Sequence, residues 1–389
     1  MIKEISISLY LGLFKTAFSF FKLFPLKNKT VFLSTFGENA LFTARELAAS
    51  SSQQLVFINS KKCKVDFCSI PAAKKSIYFL DTLNFLALVS SIYHLATAKY
   101  IFVDTYVGAL SAIRFKDEVK CIQLWHAAGA VKKFGWSDPE TSKRSTSAKN
   151  RFQKVYDQFH YIPVGSRQMA DIFLEAFHLN ENQLLYTGVP QTDFFFDEAL
   201  KKAGSERVYK RYPVLRDKKK ILYAPTFRKD SLQKMKLEFD IMQFLESLPD
   251  NHILMIRIHP SVQEALKVPE HPRILLVSDY PHINELLTVC DILVTDYSSI
   301  PVEFSLLEKK MIFFTYDLKS YSKVQGLWSM DDLSFPGPIA RTTAEVIAHI
   351  KDPAIDLDNI KRFKHHWNTF SDGSSAKKLI AEVYNPKDL

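Results

Sequence analysis

The chain lacks the glycine-rich signatures of the commonest nucleotide enzymes. No Gly-x-x-x-x-Gly-Lys-[Ser/Thr] run occurs, which argues against a P-loop ATPase, and no Gly-x-Gly-x-x-Gly occurs, which argues against a dehydrogenase. A Gly-x-Ser-x-Gly elbow is also missing, and with it the serine hydrolase reading. Cysteine is scarce. Cys63 and Cys68 stand too far apart for a CxxC pair and no histidine pattern accompanies them, so structural zinc is not expected. Cys121 and Cys290 sit in apolar runs and read as buried, inert thiols that suit a reducing cytoplasm. There are no repeats and no low-complexity tract.

An uninterrupted membrane-spanning run is lacking too. Residues Ile5 to Phe24 are rich in Leu and Phe, but Lys15 and Lys22 break them. A spanning helix needs about 20 predominantly apolar residues. A secretory leader wants a small-residue cleavage site, and Pro25, Leu26 and Lys27 follow instead. At helical spacing Leu9, Leu13, Phe20 and Phe24 share a face, with Leu11 and Phe18 widening it, while Lys15 and Lys22 lie on one flank. Two placements fit: a helix lying in a membrane interface with its lysines toward anionic headgroups, or a helix packed on the protein's own core.

What is present is ordinary globular composition, 47% hydrophobic and 24% charged over 389 residues. Single cores seldom grow beyond roughly 250–300 residues, so two domains are expected. The formal net charge of +9 favours anionic partners such as phosphates or acidic lipid. The phenylalanines cluster in runs rather than interleaving with Arg and Gly, so nucleic acid is not expected as a partner.

Short apolar runs alternate with helical patterns through both halves. Thr30–Phe36, Gln54–Asn59, Lys99–Asp104 and Val119–Trp125 read as buried strands, as do Lys220–Pro225, His252–Arg257, Arg273–Val277, Asp291–Thr295 and Lys310–Thr315. This is the pattern of doubly wound parallel α/β sheets. The charged stretch Ala199 to Lys220 reads as helix plus linker, and Thr342 to Tyr384 as mostly helical. The divisions expected are 1–27 as an amphipathic membrane-associating segment, 28–205 as a first Rossmann-like domain, and 206–389 as a second with C-terminal helices.

In open parallel sheets ligands bind beyond the carboxyl ends of the strands. Titratable and polar groups follow one strand after another there. His126 begins Trp125-His-Ala-Ala-Gly-Ala-Val-Lys-Lys-Phe-Gly135, where small residues leave backbone N–H groups open to a phosphate. Pro225 and Thr226 follow a second strand, and Arg257-Ile258-His259-Pro260 a third. Asp296-Tyr-Ser298-Ser299 follows a fourth, with Glu303 one turn later, placed to accept from ribose hydroxyls. Each element also has a structural explanation: a buried histidine bonded to backbone, or Asp and Ser as helix caps. Asp356-Leu-Asp358 has no strand before it and reads as surface charge, so no metal is assigned.

Taken together, Trp125-His126…Gly129…Lys132-Lys133…Gly135, Gly188-Val-Pro-Gln-Thr-Asp193, Tyr223-Ala-Pro-Thr-Phe-Arg228, Arg257-Ile-His-Pro260 and Thr295-Asp-Tyr-Ser-Ser299 resemble the CDP-glycerol glycerophosphotransferase family of teichoic acid synthesis. The resemblance spans about half the chain. It implies a GT-B-like α/β fold of two Rossmann-type domains, with CDP-glycerol held mainly by the second and His126 and His259 facing each other across the cleft. It further implies donor contacts from Ala127, Ala128, Gly129, Ala130, Gln191, Pro225, Thr226, Arg257, Ile258, Ser298, Ser299 and Glu303. No metal and no other cofactor is implied. Two positions depart from the family pattern. The loop after His126 reads Ala-Ala-Gly-Ala-Val-Lys where polymerases commonly read Gly-Thr-Pro-Leu-Lys, and Gln191 stands where Arg is usual. The loop is more like that of the primase branch. That branch adds the first glycerol phosphate to an undecaprenyl-diphosphate-linked ManNAc-GlcNAc at the cytoplasmic face of the bacterial membrane, beside other teichoic acid enzymes. The alternatives are a poly(glycerophosphate) polymerase and a nucleotide-sugar glycosyltransferase on the same architecture.

Overall fold

The computed structural model describes all residues except 1, 83, 227, 229–236, 259–267 and 329–334. The chain forms two compact units. One comprises Met1–His126, Gly135–Asp193 and Phe370–Leu389, the other Ala127–Phe134 and Phe194–Thr369. The sequence reading had divided the chain between residues 205 and 206 and given the whole C-terminus to the second domain. The difference has local causes. The helix Glu198–Arg211 packs on the helix Ile283–Val289 of the second unit, joined by the Arg207–Glu285 ion pair at 2.6 Å. The last helix, Ser375–Val383, packs on the helix Glu38–Ser50 of the first.

The first unit is built on a five-stranded sheet of β1 (Lys27–Ser34), β2 (Gln54–Asn59), β3 (Lys75–Phe79), β4 (Ala98–Val103) and β5 (Lys120–Gln123), in the order β3-β2-β1-β4-β5 and parallel throughout. A short parallel pair, β6 (Ile162–Pro163) and β7 (Leu184–Leu185), lies beyond it in sequence. Strands covered on both faces need apolar residues at every position rather than at alternate ones. Accordingly β1, β2 and β4 are buried along nearly their whole length. Register is pinned by aromatics. Phe32 stands opposite both Phe57 and Phe102, and its ring stacks on theirs at 5.2 and 5.1 Å. A one-residue slip would turn these rings to the wrong face.

The second unit carries β8 (Lys219–Ala224), β9 (His252–Ile256), β10 (Ile274–Leu276), β11 (Ile292–Thr295), β12 (Lys310–Phe314) and β13 (Ile339–Ala340), ordered β10-β9-β8-β11-β12-β13 and again parallel. Counted within the unit this is the 3-2-1-4-5-6 order of a Rossmann sheet, and the first unit repeats its 3-2-1-4-5 portion. In both, the strand order reverses between the first and fourth strands: β1 and β4 in one, β8 and β11 in the other.

The N-terminal helix Ile2–Phe21 packs part of its surface on the first unit. Phe14 and Phe18, one turn apart, are buried, and Phe18 meets Phe115 edge-on at 5.9 Å. Phe18 therefore belongs to the core and does not widen the exposed stripe, because the four-residue step from Phe14 carries it onto the packed face. Lys22 is likewise turned inward, its Nζ donating to the carbonyls of Arg114 and Phe115 at 2.8 and 3.2 Å. Leu9, Leu13, Phe20 and Phe24 remain exposed. No helix among the described residues is long and apolar enough to cross a membrane.

Candidate functional site

At the strand-order reversal of the first unit, Asp104 follows β4 and turns its carboxylate onto the loop leaving β1. Oδ1 and Oδ2 accept from the N–H of Thr35 at 2.9 and 3.1 Å, and Oδ2 also takes those of Phe36 (3.0 Å) and Gly37 (2.7 Å). Burial pushes this carboxyl up to about 6, and the three backbone donors work against that rise. The lock fixes Phe36, whose ring stacks on the His126 imidazole at 4.2 Å, nearly parallel.

His126 reaches that position through a strained turn. Trp125 has φ of 59°, the left-handed region that costs a bulky residue free energy and persists only when its surroundings hold it. The holding groups are visible. The Trp125 N–H donates to Gln123 Oε1 at 2.9 Å, and Asn39 Nδ2 donates to the carbonyls of Leu124 and Trp125 at 3.2 and 3.1 Å. Asn39 Oδ1 in turn accepts the backbone N–H of Gln191 at 2.9 Å. The His126 Nδ1 is buried and has no hydrogen-bond partner among the described residues. Burial lowers the imidazole to about 4, opposed by the backbone of Asp104, so the ring is neutral at pH 7.

Gln191 sits in Gly188-Val-Pro-Gln-Thr-Asp193, and the neighbours explain that motif. Gly188 has φ of +85°, and a Cβ there would lie 2.4 Å from Ser375 Oγ. Asp193 accepts from the N–H groups of Ser375 and Ala376 at 2.9 and 2.8 Å, capping the last helix. The motif thus ties the chain's C-terminal helix to the segment that holds Asn39.

In the second unit the carboxyl ends of three neighbouring strands carry the expected groups. Pro225 and Thr226 follow β8, Arg257 and Ile258 follow β9, and Ser298 and Ser299 stand just past β11. Thr226 donates its N–H to Asp296 Oδ1 at 2.8 Å, while its hydroxyl is buried without a partner among the described residues. Arg257 is steered by the carbonyls of Val277 and Tyr280, which accept from Nη1 at 3.1 and 2.8 Å. Ile258 is buried and spends its N–H on Ser278 Oγ at 3.0 Å, so it supports the strand exit rather than offering a free donor. Ser298 Oγ accepts from Ile300 N–H at 3.2 Å, and Ser299 makes no side-chain cap. His259 and Pro260 lie outside the described residues.

The loop Ala127–Phe134 belongs to this unit. Val131 and Lys133 exchange backbone hydrogen bonds with Trp328 and Gly326, both at 3.0 Å, and Lys132 bridges Leu327 in antiparallel fashion. Gly129 is required by close approach: a Cβ would fall 2.6 Å from Val302 and 3.1 Å from Trp367. Glu303 Oε1 accepts the Ala128 N–H at 2.8 Å, which joins two of the expected donor-contact residues to each other. Both groups are buried, and a buried donor and acceptor pair with each other. Ala127 and Ala130 are buried beside them. Lys132 lies in the same loop; burial lowers it to about 8, with Asp296 raising and Arg228 lowering it.

Arg228 was part of a sequence motif, yet its role is structural. Nε and Nη2 reach the two oxygens of Asp317, both at 2.9 Å, and Nη1 reaches Asp296 at 2.6 Å. The rings of Tyr297, Tyr316 and Tyr321 surround its guanidinium. Burial alone would lower its pKa, but the two carboxylates outweigh it and raise it. Asp104 and Asp296 hold the loops beside these groups, a role that their position at strand ends alone does not reveal. Each follows the fourth strand of its unit and binds backbone N–H in the loop after the first. The signal was present, since both aspartates end a strand in the sequence, but a lone Asp there also reads as a helix cap.

Comparison with known proteins gives the family and the fold. Residues 17–385 match the family model described as CDP-Glycerol:Poly(glycerophosphate) glycerophosphotransferase. The chain is 38% identical over 309 residues to the teichoic acid glycerol-phosphate primase of Bacillus subtilis (strain 168), covering 79% of each. It is 33% identical over 384 residues to the teichoic acid poly(ribitol-phosphate) polymerase of Bacillus spizizenii (strain ATCC 23059 / NRRL B-14472 / W23), covering 97% of this chain and 60% of that one. The solved structure of the wall teichoic acid polymerase TagF shares the fold, with a TM-score of 0.81 at 20% identity over 98% of this chain and 97% of that one. With a family model matched along nearly its whole length, the chain belongs to the CDP-glycerol glycerophosphotransferases.

Proposed function

We propose that this protein moves glycerol phosphate from CDP-glycerol to an undecaprenyl-diphosphate-linked ManNAc-GlcNAc acceptor, releasing CMP, as a teichoic acid primase. The observation that carries the reading is the 38% identity to a glycerol-phosphate primase of matching extent. The acceptor hydroxyl attacks the glycerol-bearing phosphorus, a new P–O bond forms, and the bond to the CMP oxygen breaks. A sugar hydroxyl is a weak nucleophile, and a positioned base contributes roughly 10²–10⁴-fold. His126 suits that role: it is neutral at pH 7 and keeps Nδ1 unbonded among the described residues. A diphosphate beside it would raise its proton affinity. Lys132, Arg257, His259, Thr226, Ser298 and Ser299 would bind the donor and spread the charge that develops on its diphosphate, a role for fixed donors in a water-poor site. Glu303, Ala127, Ala128, Gly129 and Ala130 hold the loop that follows His126, and Gln191 holds the turn before it. The exposed face of the N-terminal helix would rest on an anionic membrane, placing the enzyme peripherally at the cytoplasmic side near the lipid acceptor.

A polymerase is the second reading, favoured by the similarity to a poly(ribitol-phosphate) polymerase across 97% of the chain. Incubation with CDP-glycerol and a synthetic lipid disaccharide separates the two. A primase gives one added unit and one CMP per acceptor, and a polymerase gives a ladder. UDP released from a UDP-sugar, with no CMP from CDP-glycerol, would overturn both.

A further inference from the structure

In the second unit one carboxylate joins the strand exits that carry the proposed donor contacts, and it belongs to none of the sequence motifs. Asp317 follows β12 and opens the helix Leu318–Gln325. An Asp in that position usually accepts a backbone N–H of the first turn. Asp317 makes no such side-chain cap; only its backbone carbonyl takes the N–H groups of Ser320 and Tyr321, at 3.0 and 2.9 Å. The carboxylate is engaged elsewhere. Oδ1 accepts from Arg228 Nη2 at 2.9 Å and from the Tyr297 hydroxyl at 3.1 Å, and Oδ2 accepts from Arg228 Nε at 2.9 Å. A side chain that gives up the local cap for two distant partners is placed for the sake of those partners.

Each partner leads to a donor-contact residue. Arg228 Nη1 donates to the Thr226 carbonyl, and Asp296, which the same nitrogen holds, accepts the Thr226 N–H. Both backbone polar groups of Thr226 are thereby fixed, and its buried hydroxyl is left without a partner among the described residues. Tyr297 is held at both ends. Its N–H donates to Asp296 Oδ1 at 2.6 Å, its hydroxyl donates to Asp317, and its buried ring stacks on Tyr321 at 4.2 Å. Burial and the Asp317 carboxylate raise the pKa of this phenol, so it stays protonated and donates. Ser298 and Ser299 follow it directly in the chain. The helix that Asp317 opens runs on to the loop of Lys132, where Gly326 accepts the Lys133 N–H and Trp328 donates to Val131.

We infer that Asp317 is a positioning residue for CDP-glycerol, setting Thr226 through Arg228 and setting Ser298 and Ser299 through Tyr297. The inference rests on the donor assignment proposed above and extends it to a residue that acts through others. The test compares the full chain as wild type, Asp317→Asn and Tyr297→Phe, each assayed well below its melting temperature. Asn removes the charge and turns an NH₂ toward a guanidinium donor, whereas Phe keeps the ring and loses only the hydroxyl. Asp240→Ala is the control for plain destabilisation. Asp240 is a true cap in the same unit, accepting the Gln243 N–H at 3.0 Å at the start of the helix Ile241–Ser247. Calorimetry gives Kd for CDP, and steady-state assays with a lipid disaccharide give kcat and KM for CDP-glycerol. CDP binding should weaken about tenfold in Asp317→Asn and about threefold in Tyr297→Phe, in line with contacts to a charged group. KM for CDP-glycerol should rise in proportion, while kcat at saturating donor changes by less than about threefold. Asp240→Ala should melt lower than wild type and bind CDP as tightly. Wild-type Kd and KM in Asp317→Asn and Tyr297→Phe overturn the inference and leave the donor assignment standing, as does equal weakening by Asp240→Ala. Tyr297→Phe decides by itself if Asp317→Asn does not fold. A wild type that binds neither CDP nor CDP-glycerol overturns the donor assignment and the inference with it.

Discussion

Replacing Asp104 with Asn tests how the first unit positions His126. The carboxylate accepts from three successive backbone N–H groups at 2.7 to 3.1 Å. Asn keeps one acceptor oxygen and turns an NH₂ toward donors, so at least one of these N–H groups loses its partner inside the fold. Hydrogen bonds to charged groups contribute about 1.5–3 kcal/mol each, and a stranded buried donor costs about 1–3 kcal/mol. A net loss of about 3 kcal/mol follows, which for a unit of this size is a fall in Tm of roughly 5–10 °C. The kinetic consequence is more specific. Phe36 is the ring on which His126 stacks, and its own N–H is one of the three donors. Loosening it shifts the imidazole, and small misplacements at a reacting centre cost up to about 10²-fold. The kcat for CMP release should therefore fall by one to two orders of magnitude while KM for CDP-glycerol changes little. Differential scanning calorimetry and steady-state assays with acceptor present check both parts. A variant melting within 2 °C or so of wild type with an unchanged kcat would refute the positioning role.

Gly129→Ala places a Cβ 2.6 Å from Val302. Overpacking of this kind costs about 1–3 kcal/mol, and because the loop follows His126 the catalytic rate should drop with it; paired melts and turnover measurements check this. Arg228→Met leaves Asp296 and Asp317 without their cation, and breaking a buried pair costs about 3–5 kcal/mol. Arg228→Lys should recover less than half of that loss, since an ammonium cannot reproduce the two-pronged contact, as urea unfolding would show. The buried His126 is depressed to about 4 from its ordinary 6.5, so the unfolded chain takes up a proton before the folded one does. Its stabilising contribution is complete above pH 6.5 and is lost as pH falls through about 4, by up to about 3 kcal/mol. Wild type should therefore lose more stability than His126→Gln between pH 7 and pH 4.5 in urea melts, those pH values being roughly the span of the titration.

The strands were legible because buried parallel strands are uninterrupted apolar runs bounded by polar residues. Seven-residue and shorter runs such as Gln54–Asn59 gave β2 and Asp291–Thr295 gave β11. β3 was not legible: Lys75–Phe79 is an edge strand, only half buried, and its composition resembles a loop. β13 is two residues long and exists through its pairing with β12. At the site, the residues that end strands could be found, because position along the fold follows from the runs. Their hydrogen-bond partners could not. Glu303 reaching Ala128, Arg228 enclosed by tyrosines, and Asp104 under the β1 loop are long-range contacts that no local pattern encodes. Asp356 shows the reverse case. It was read as surface charge, and it caps the helix Leu357–Asn368 by accepting the Asn359 N–H at 3.0 Å.

The most direct test of the account is CMP release from CDP-glycerol in the presence of a lipid-linked disaccharide, measured for wild type and for His126→Ala. The account predicts one CMP and one glycerol phosphate transferred per acceptor by wild type, and a folded variant slower by at least about 10²-fold. A His126→Ala protein that turns over at the wild-type rate would contradict it.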